Sequence, residues 1–244
     1  MANLPFSYSI RRNPRISRMR ITVTPDKIEV VAPPKVAEAL LHQFVNDKQQ
    51  WILQARQKVA GNNRPAAFPL PATYGEGTPI PYRGGQYPLR LVCHPNKRVK
   101  ISFNGELTAQ IPAHLPPEAH SAALKPALVA WLKQQARQHV GQALERHTAT
   151  QQLIPQSVLI KTQKSRWGSC GIHNDININW LLIMAPPEVL EYVVVHELCH
   201  IQIRNHSAQF WALVAEHLPG YQSQRQWLKQ QGGELLRYGF GLMG

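Results

Sequence analysis

Apolar and polar residues alternate between positions 6 and 32, with Ile21 and Val23, then Ile28 and Val30, at strand spacing. Successive side chains of a strand point to opposite faces, so this pattern predicts a β-hairpin turning at Pro25-Asp26-Lys27. From Pro34 the period becomes helical: Val36, Leu40, Leu41, Phe44, Val45, Trp51, Ile52 and Val59 fall at helix spacing up to Gly61. The stretch 61–81 is rich in proline and glycine, has no period, and reads as a loop or linker. Short strands return over 80–112, with Asn104-Gly105 as a hairpin turn.

The second half is more helical. Leu124, Leu128, Trp131, Leu132, Ala136, Val140 and Leu144 form an apolar stripe, which predicts a long helix over 117–148. After Ile154-Pro155, SVLIKTQKSRWGSCG reads as a strand entering a glycine-bounded turn, and ININWLLIM (176–184) as a second strand. Pro187 suits the first turn of a helix running from about Glu188 to Arg204. Asn205 or Ser207 caps the next, which covers FWALVAEHL and ends at Pro219-Gly220. A last short helix, 221–231, is expected to close on Gly232-Gly233, with 236–244 as a tail. The predicted class is α+β: a basic, β-rich N-terminal region (1–115) packed with a helical part (116–235) that carries a small sheet.

Composition narrows the picture. With 43% hydrophobic and 17% charged residues the chain is globular in character, which excludes wholesale disorder. The N-terminus has no apolar signal-peptide core, and no apolar run approaches membrane-spanning length. Three scattered cysteines argue against a disulfide framework and for a cytoplasmic location. The formal charge of +13 is uneven: residues 1–100 carry 16 Lys/Arg against 5 Asp/Glu, residues 101–244 carry 11 against 9. Arg11, Arg12, Arg15, Arg18 and Arg20 decorate the first hairpin arm. Such a field attracts polyanions such as nucleic acid or nucleotides, but a solvated basic face accounts for it equally.

The chemistry lies in VVVHELCHIQIRNHSAQFW (193–211). His196 and His200 are four apart, so on a helix both rings leave one face and can reach one zinc ion. Glu197 points about 100° further round, near enough to work on a water but not aligned as a ligand. A buried carboxylate beside buried imidazoles has no packing advantage, which weighs against a purely structural helix. For a third ligand the candidates are His206, Glu216, His217, Cys170 and His173. The spacing favours His206, giving H-E-x-x-H-x5-H, with Glu216 and His217 as the main alternatives. That is the metzincin ligand spacing, yet Ile203 stands where a metzincin has glycine, and the only later methionine is Met243. The chain is therefore expected to turn at Arg204-Asn205.

KSRWGSC, the strand with ININW, APPEVLEYVVVHELCHI, NHSAQFW and the late PGY…WLK together resemble the YgjP-like metallopeptidase family, related to the SprT and WLM zinc proteases. The resemblance runs over most of the chain. It implies that His196, His200 and His206 bind one zinc ion and that Glu197 is the catalytic acid/base. It also implies a peptide or protein substrate. It makes 116–235 the zincin-like catalytic part, and it leaves two alternatives to the peptidase reading: a metal-dependent pyrophosphatase of nucleoside triphosphates and, by analogy with the SprT and WLM relatives, a DNA-associated protease. Against the nucleotide reading, no Walker-type loop and no acidic magnesium cluster is present.

RWGSCG admits two readings. Arg166 stabilises a developing oxyanion, or the segment is a structural turn around a buried Trp167 and Cys170. Cys170 as a nucleophile is disfavoured, because metal chemistry already supplies one. The strand 176–183 is a candidate for pairing with substrate backbone. Tyr192, one turn before His196, is either a hydrogen-bond donor to the site or helix packing.

Overall fold

The computed structural model describes residues 4–24, 27–60, 67–95, 97–151 and 153–243. The chain divides into two compact units, Met1–Pro65 and Ala66–Gly244. The boundary anticipated at 115/116 falls inside the second unit, where Ile80 and Leu107 share a core with Leu128 and Val194.

In the first unit β1 (Ser9–Arg12), β2 (Arg20–Val23) and β3 (Ile28–Ala32) form a sheet in the order β1-β3-β2. The anticipated hairpin is the antiparallel β2–β3 pair, its turn residues Pro25 and Asp26 lying outside the described residues. β1 joins β3 in parallel. The row Ile10, Val30 and Ile21 crosses all three strands. It packs with Leu41, Val45 and Ile52 from α1 (Glu38–Asp47) and α2 (Gln49–Ala60). One helix was expected there. The chain breaks at Lys48 (φ −98, ψ 8), whose N–H is shared between the carbonyls of Phe44 and Val45.

The second unit opens with β4 (Pro79–Tyr82), β5 (Gly85–His94), β6 (Lys100–Phe103) and β7 (Leu107–Pro112), in the order β4-β5-β7-β6. Asn104-Gly105 turns the β6–β7 hairpin as anticipated, with Gly105 at φ 96. The 35-residue α3 (Pro117–Gln151) follows. Pro126 lies inside it, at a cost of about 3 kcal/mol for a helix interior. Burial of Leu124, Leu128, Trp131 and Leu132 offsets this, at about 1.5–3 kcal/mol for each aliphatic side chain.

The sheet that positions the site comes next. β8 (Ser157–Lys161), β9 (Gly168–Cys170) and β10 (Asp175–Asn179) are ordered β8-β10-β9. The strand expected over 176–184 stops at Asn179, and Trp180–Met184 form a 3-10 turn. The cause is local: the Asn179 side chain accepts a hydrogen bond from the Leu181 N–H at 3.3 Å and so caps the turn. All five turn residues are buried.

Three helices complete the unit: α4 (Pro187–Gln202), α5 (Ala208–His217) and α6 (Gln222–Met243). Ser207 caps α5, accepting from the Phe210 N–H. The last helix is far longer than anticipated, and the expected tail is its C-terminal half, with Tyr238 and Leu242 buried. Gly232 does not stop it. A Cβ there would lie 3.0 Å from Cζ2 of Trp167, so this glycine lets a helix approach an indole. Among the described residues no helix is long and apolar enough to cross a membrane.

Candidate metal centre

α4 is buried along most of its length, from Val189 to Cys199. His196 and His200 leave it one turn apart, and both are half-buried. His206 comes from the segment before α5 and is exposed. The three bring ligand nitrogens within 4.8 Å of one another, the metal-capable group of three found among the described residues. Nε2 of His196 and Nε2 of His206 are 3.0 Å apart. Two nitrogens bound tetrahedrally at about 2.0–2.1 Å stand roughly 3.3 Å apart, so this separation is near that of co-ligands. Glu216, His217, Cys170 and His173 do not join the group.

The rings are set by their neighbours. Nδ1 of His200 bonds the Ile203 carbonyl at 2.9 Å, which leaves Nε2 directed at the cluster. Phe210, fully buried, stacks on His200 at 4.4 Å between centroids and contacts His196 and His206. Trp211 stacks on His206 at 5.5 Å and on Tyr221, which in turn stacks on Tyr192. In the sequence, Phe210 and Trp211 are aromatic residues whose pattern favours packing over chemistry. They do pack, but what they pack against is the three imidazoles.

Ile203 explains the missing glycine. It ends α4 in extended conformation (φ −126, ψ 107), which any residue adopts. The turn follows without left-handed backbone at Asn205, whose side chain instead accepts from the Ser207 N–H at 3.1 Å. Arg204 is turned to the β9–β10 connection, donating to the Gly171 carbonyl at 2.7 Å and to Asn174.

Charge and burial favour a metal. Burial, reinforced by the neighbouring imidazoles of His200 and His206 and by the charge of Arg225, pushes His196 down to about 3. Burial also lowers His200. Neutral imidazole is the form that binds a cation, so no proton need leave these rings at neutral pH. Nδ1 of His196 is buried without a hydrogen-bond partner among the described residues. Three imidazoles form a borderline-soft donor set, which suits zinc.

Asn179 and Glu197 are the two buried polar or charged residues among the described residues. Glu197 lies against β9: a Cβ on Gly168 would fall 2.5 Å from its Oε1 and 2.7 Å from its Cγ. Burial pushes the Glu197 carboxyl up to about 8, opposed by the charge of the exposed Arg166. Asn179 holds the chain that leads into β9. Its Nδ2 donates to the carbonyls of Gln163 (2.8 Å) and Arg166 (3.0 Å), and its N–H to that of Trp167 (2.8 Å). Its signal in the sequence was an asparagine on an apolar strand, which must find partners when buried. Cys170 keeps its proton, its thiol raised by burial against the charge of Arg204. Burial raises the Tyr192 hydroxyl to about 12, so it too stays neutral.

β10 is central in its sheet, paired on both sides, so it has no edge to offer a substrate. β9 pairs with β10 alone among the described strands, and it adjoins the glutamate.

Three convergent imidazoles beside a buried carboxylate are the parts a metal-dependent hydrolase uses. Residues 17–231 match the family described as YgjP-like, metallopeptidase domain, and the chain belongs to it. No curated protein and no solved structure matches.

Proposed function

We propose that this protein is a zinc-dependent peptidase with His196, His200 and His206 as the ligands and Glu197 as the acid/base. The observation that carries the reading is the clustering of three ligand nitrogens within 4.8 Å next to a carboxylate that is 5% exposed. A bound zinc ion supplies Lewis acidity toward the scissile carbonyl. Glu197 accepts a proton from the attacking water at its carboxylate and passes it to the leaving amine. Burial raises this carboxyl to about 8 in the metal-free protein and a bound cation would draw it back down, which suits it to move a proton both ways near neutral pH. The free edge of β9 takes the peptide backbone as an added strand, beside Glu197. Arg166, whose charge acts on Glu197, faces the negative charge that develops on the carbonyl oxygen.

The test is purified protein with measured metal content, offered a peptide library and a nucleotide panel with and without chelator. Peptide cleavage lost on chelation and restored by zinc is expected. Hydrolysis of nucleoside triphosphates with no peptide cleaved would overturn the reading.

Gly168→Ala tests the placement of Glu197. The added methyl takes the space of the carboxylate, since backbone on one side and helix on the other leave little room to yield. A displacement of about 1 Å costs on the order of 10²-fold in rate, and kcat is expected to fall by that factor with zinc stoichiometry unchanged. Steady-state kinetics paired with metal analysis checks this.

A further inference from the structure

Trp211 carries a guanidinium beside the metal-capable histidines. The Arg225 carbon lies 4.2 Å from the Trp211 ring centroid, and that ring is 5.5 Å from His206 and 5.7 Å from His196. These distances bound Arg225 to within about 10 Å of the His196 ring, and an extended peptide covers about 3.3–3.6 Å per residue. A group on the substrate two or three residues from the cut therefore comes within its reach.

Among the described residues Arg225 is a cation with free donors and with a place fixed by the Trp211 ring. It is exposed on the first turn of α6, and no ion pair engages it among the described residues. Arg204, by contrast, is occupied by Gly171 and Asn174. A guanidinium lying over an aromatic ring keeps its N–H edge for a carboxylate, and the ring limits the freedom it loses on binding. Arg166 adds positive charge on the Glu197 side, and Glu197 itself is buried away from solvent. The mouth of the site is thus electropositive and would concentrate anionic ligands.

We infer that Arg225 is a specificity-determining residue that binds a carboxylate of the substrate close to the scissile bond, which makes acidic peptides the substrate class. This rests on the peptidase reading above, and its test separates the two. Matched peptides that differ by Glu for Gln at single positions around the cut are assayed with zinc-loaded protein. A peptide hydroxamate bearing one glutamate, and its glutamine twin, are titrated by calorimetry, which needs no turnover. The expected result is a preference of about tenfold or more for glutamate in both kcat/KM and affinity. The preference falls to near unity in Arg225→Gln, survives in part in Arg225→Lys, and weakens as salt is raised. Equal affinity for the two hydroxamates, or a preference unchanged in Arg225→Gln, overturns the inference. Cleavage of both peptides at equal rates does so while leaving the peptidase reading intact. An Arg225-dependent preference in binding with no peptide cleaved supports the anchor and removes the peptidase.

Discussion

Glu197→Gln is expected to lower peptide turnover by about 10²- to 10⁴-fold while the protein still binds one zinc ion. Glutamine has the same shape and fits the space bounded by Gly168, but its amide cannot take a proton from water and return it. The histidines are untouched, so metal content and kinetics part company. Cleavage at the wild-type rate by a zinc-loaded Gln variant would exclude this acid/base. A second signature appears without metal. The carboxyl sits near 8 in the folded chain against 4.5 as its ordinary value, so between these limits the native state holds a proton that the unfolded state has lost. Stability of the metal-free protein therefore falls as pH rises through that window, by an amount on the order of a few kcal/mol. The glutamine variant carries no such penalty. In the presence of chelator its Tm advantage over wild type should be small at pH 5 and clear at pH 8.

His206→Ala is expected to weaken zinc binding by more than the roughly 10- to 100-fold that follows loss of an outer hydrogen-bond partner, and to abolish activity with it. His206 is exposed and lies outside α4, so its removal opens no core cavity. The loss is one of coordination, and equilibrium dialysis against a zinc buffer reads it directly. His217→Ala and Glu216→Ala supply the contrast. Neither residue joins the three-histidine group, and both variants should keep full zinc stoichiometry. Retention of zinc by His206→Ala together with loss in either of the others would move the third ligand onto α5.

Local rules made a good part of this protein legible. The four-residue step from His196 to His200 is a property of one helix, and α4 is that helix. Asn104-Gly105 announces a hairpin because its backbone demand is met within two residues, and Gly105 does adopt φ 96. Pro187, Ser207 and the stripe of α3 likewise act over one or two turns. The α+β class and the family follow from such signals.

Where the meaning of a residue depends on a distant partner, sequence order misleads. Gly232 has the look of a helix stop, yet it lies within α6 because Trp167, 65 positions earlier, needs the space a side chain would take. Asn179 ends a strand that hydrophobic pattern alone would extend to Met184, since its side chain finds the Leu181 N–H and two carbonyls of the preceding loop. The edge available for pairing passed from β10 to β9 once β8 was seen in parallel on the other side. Arg225 of α6, Trp211 of α5 and Tyr221 of the turn between them form one stack, and no period connects them to His196. The sequence by itself determined most of the elements, the histidine pair and the glutamate between them, because helix and strand periods are short-range consequences of backbone geometry. Only the tertiary structure decided that His206 converges on that pair, that Gly168 meets Glu197, and that a cation stands at the mouth. Those are meetings of side chains from separate elements, set by how whole surfaces pack.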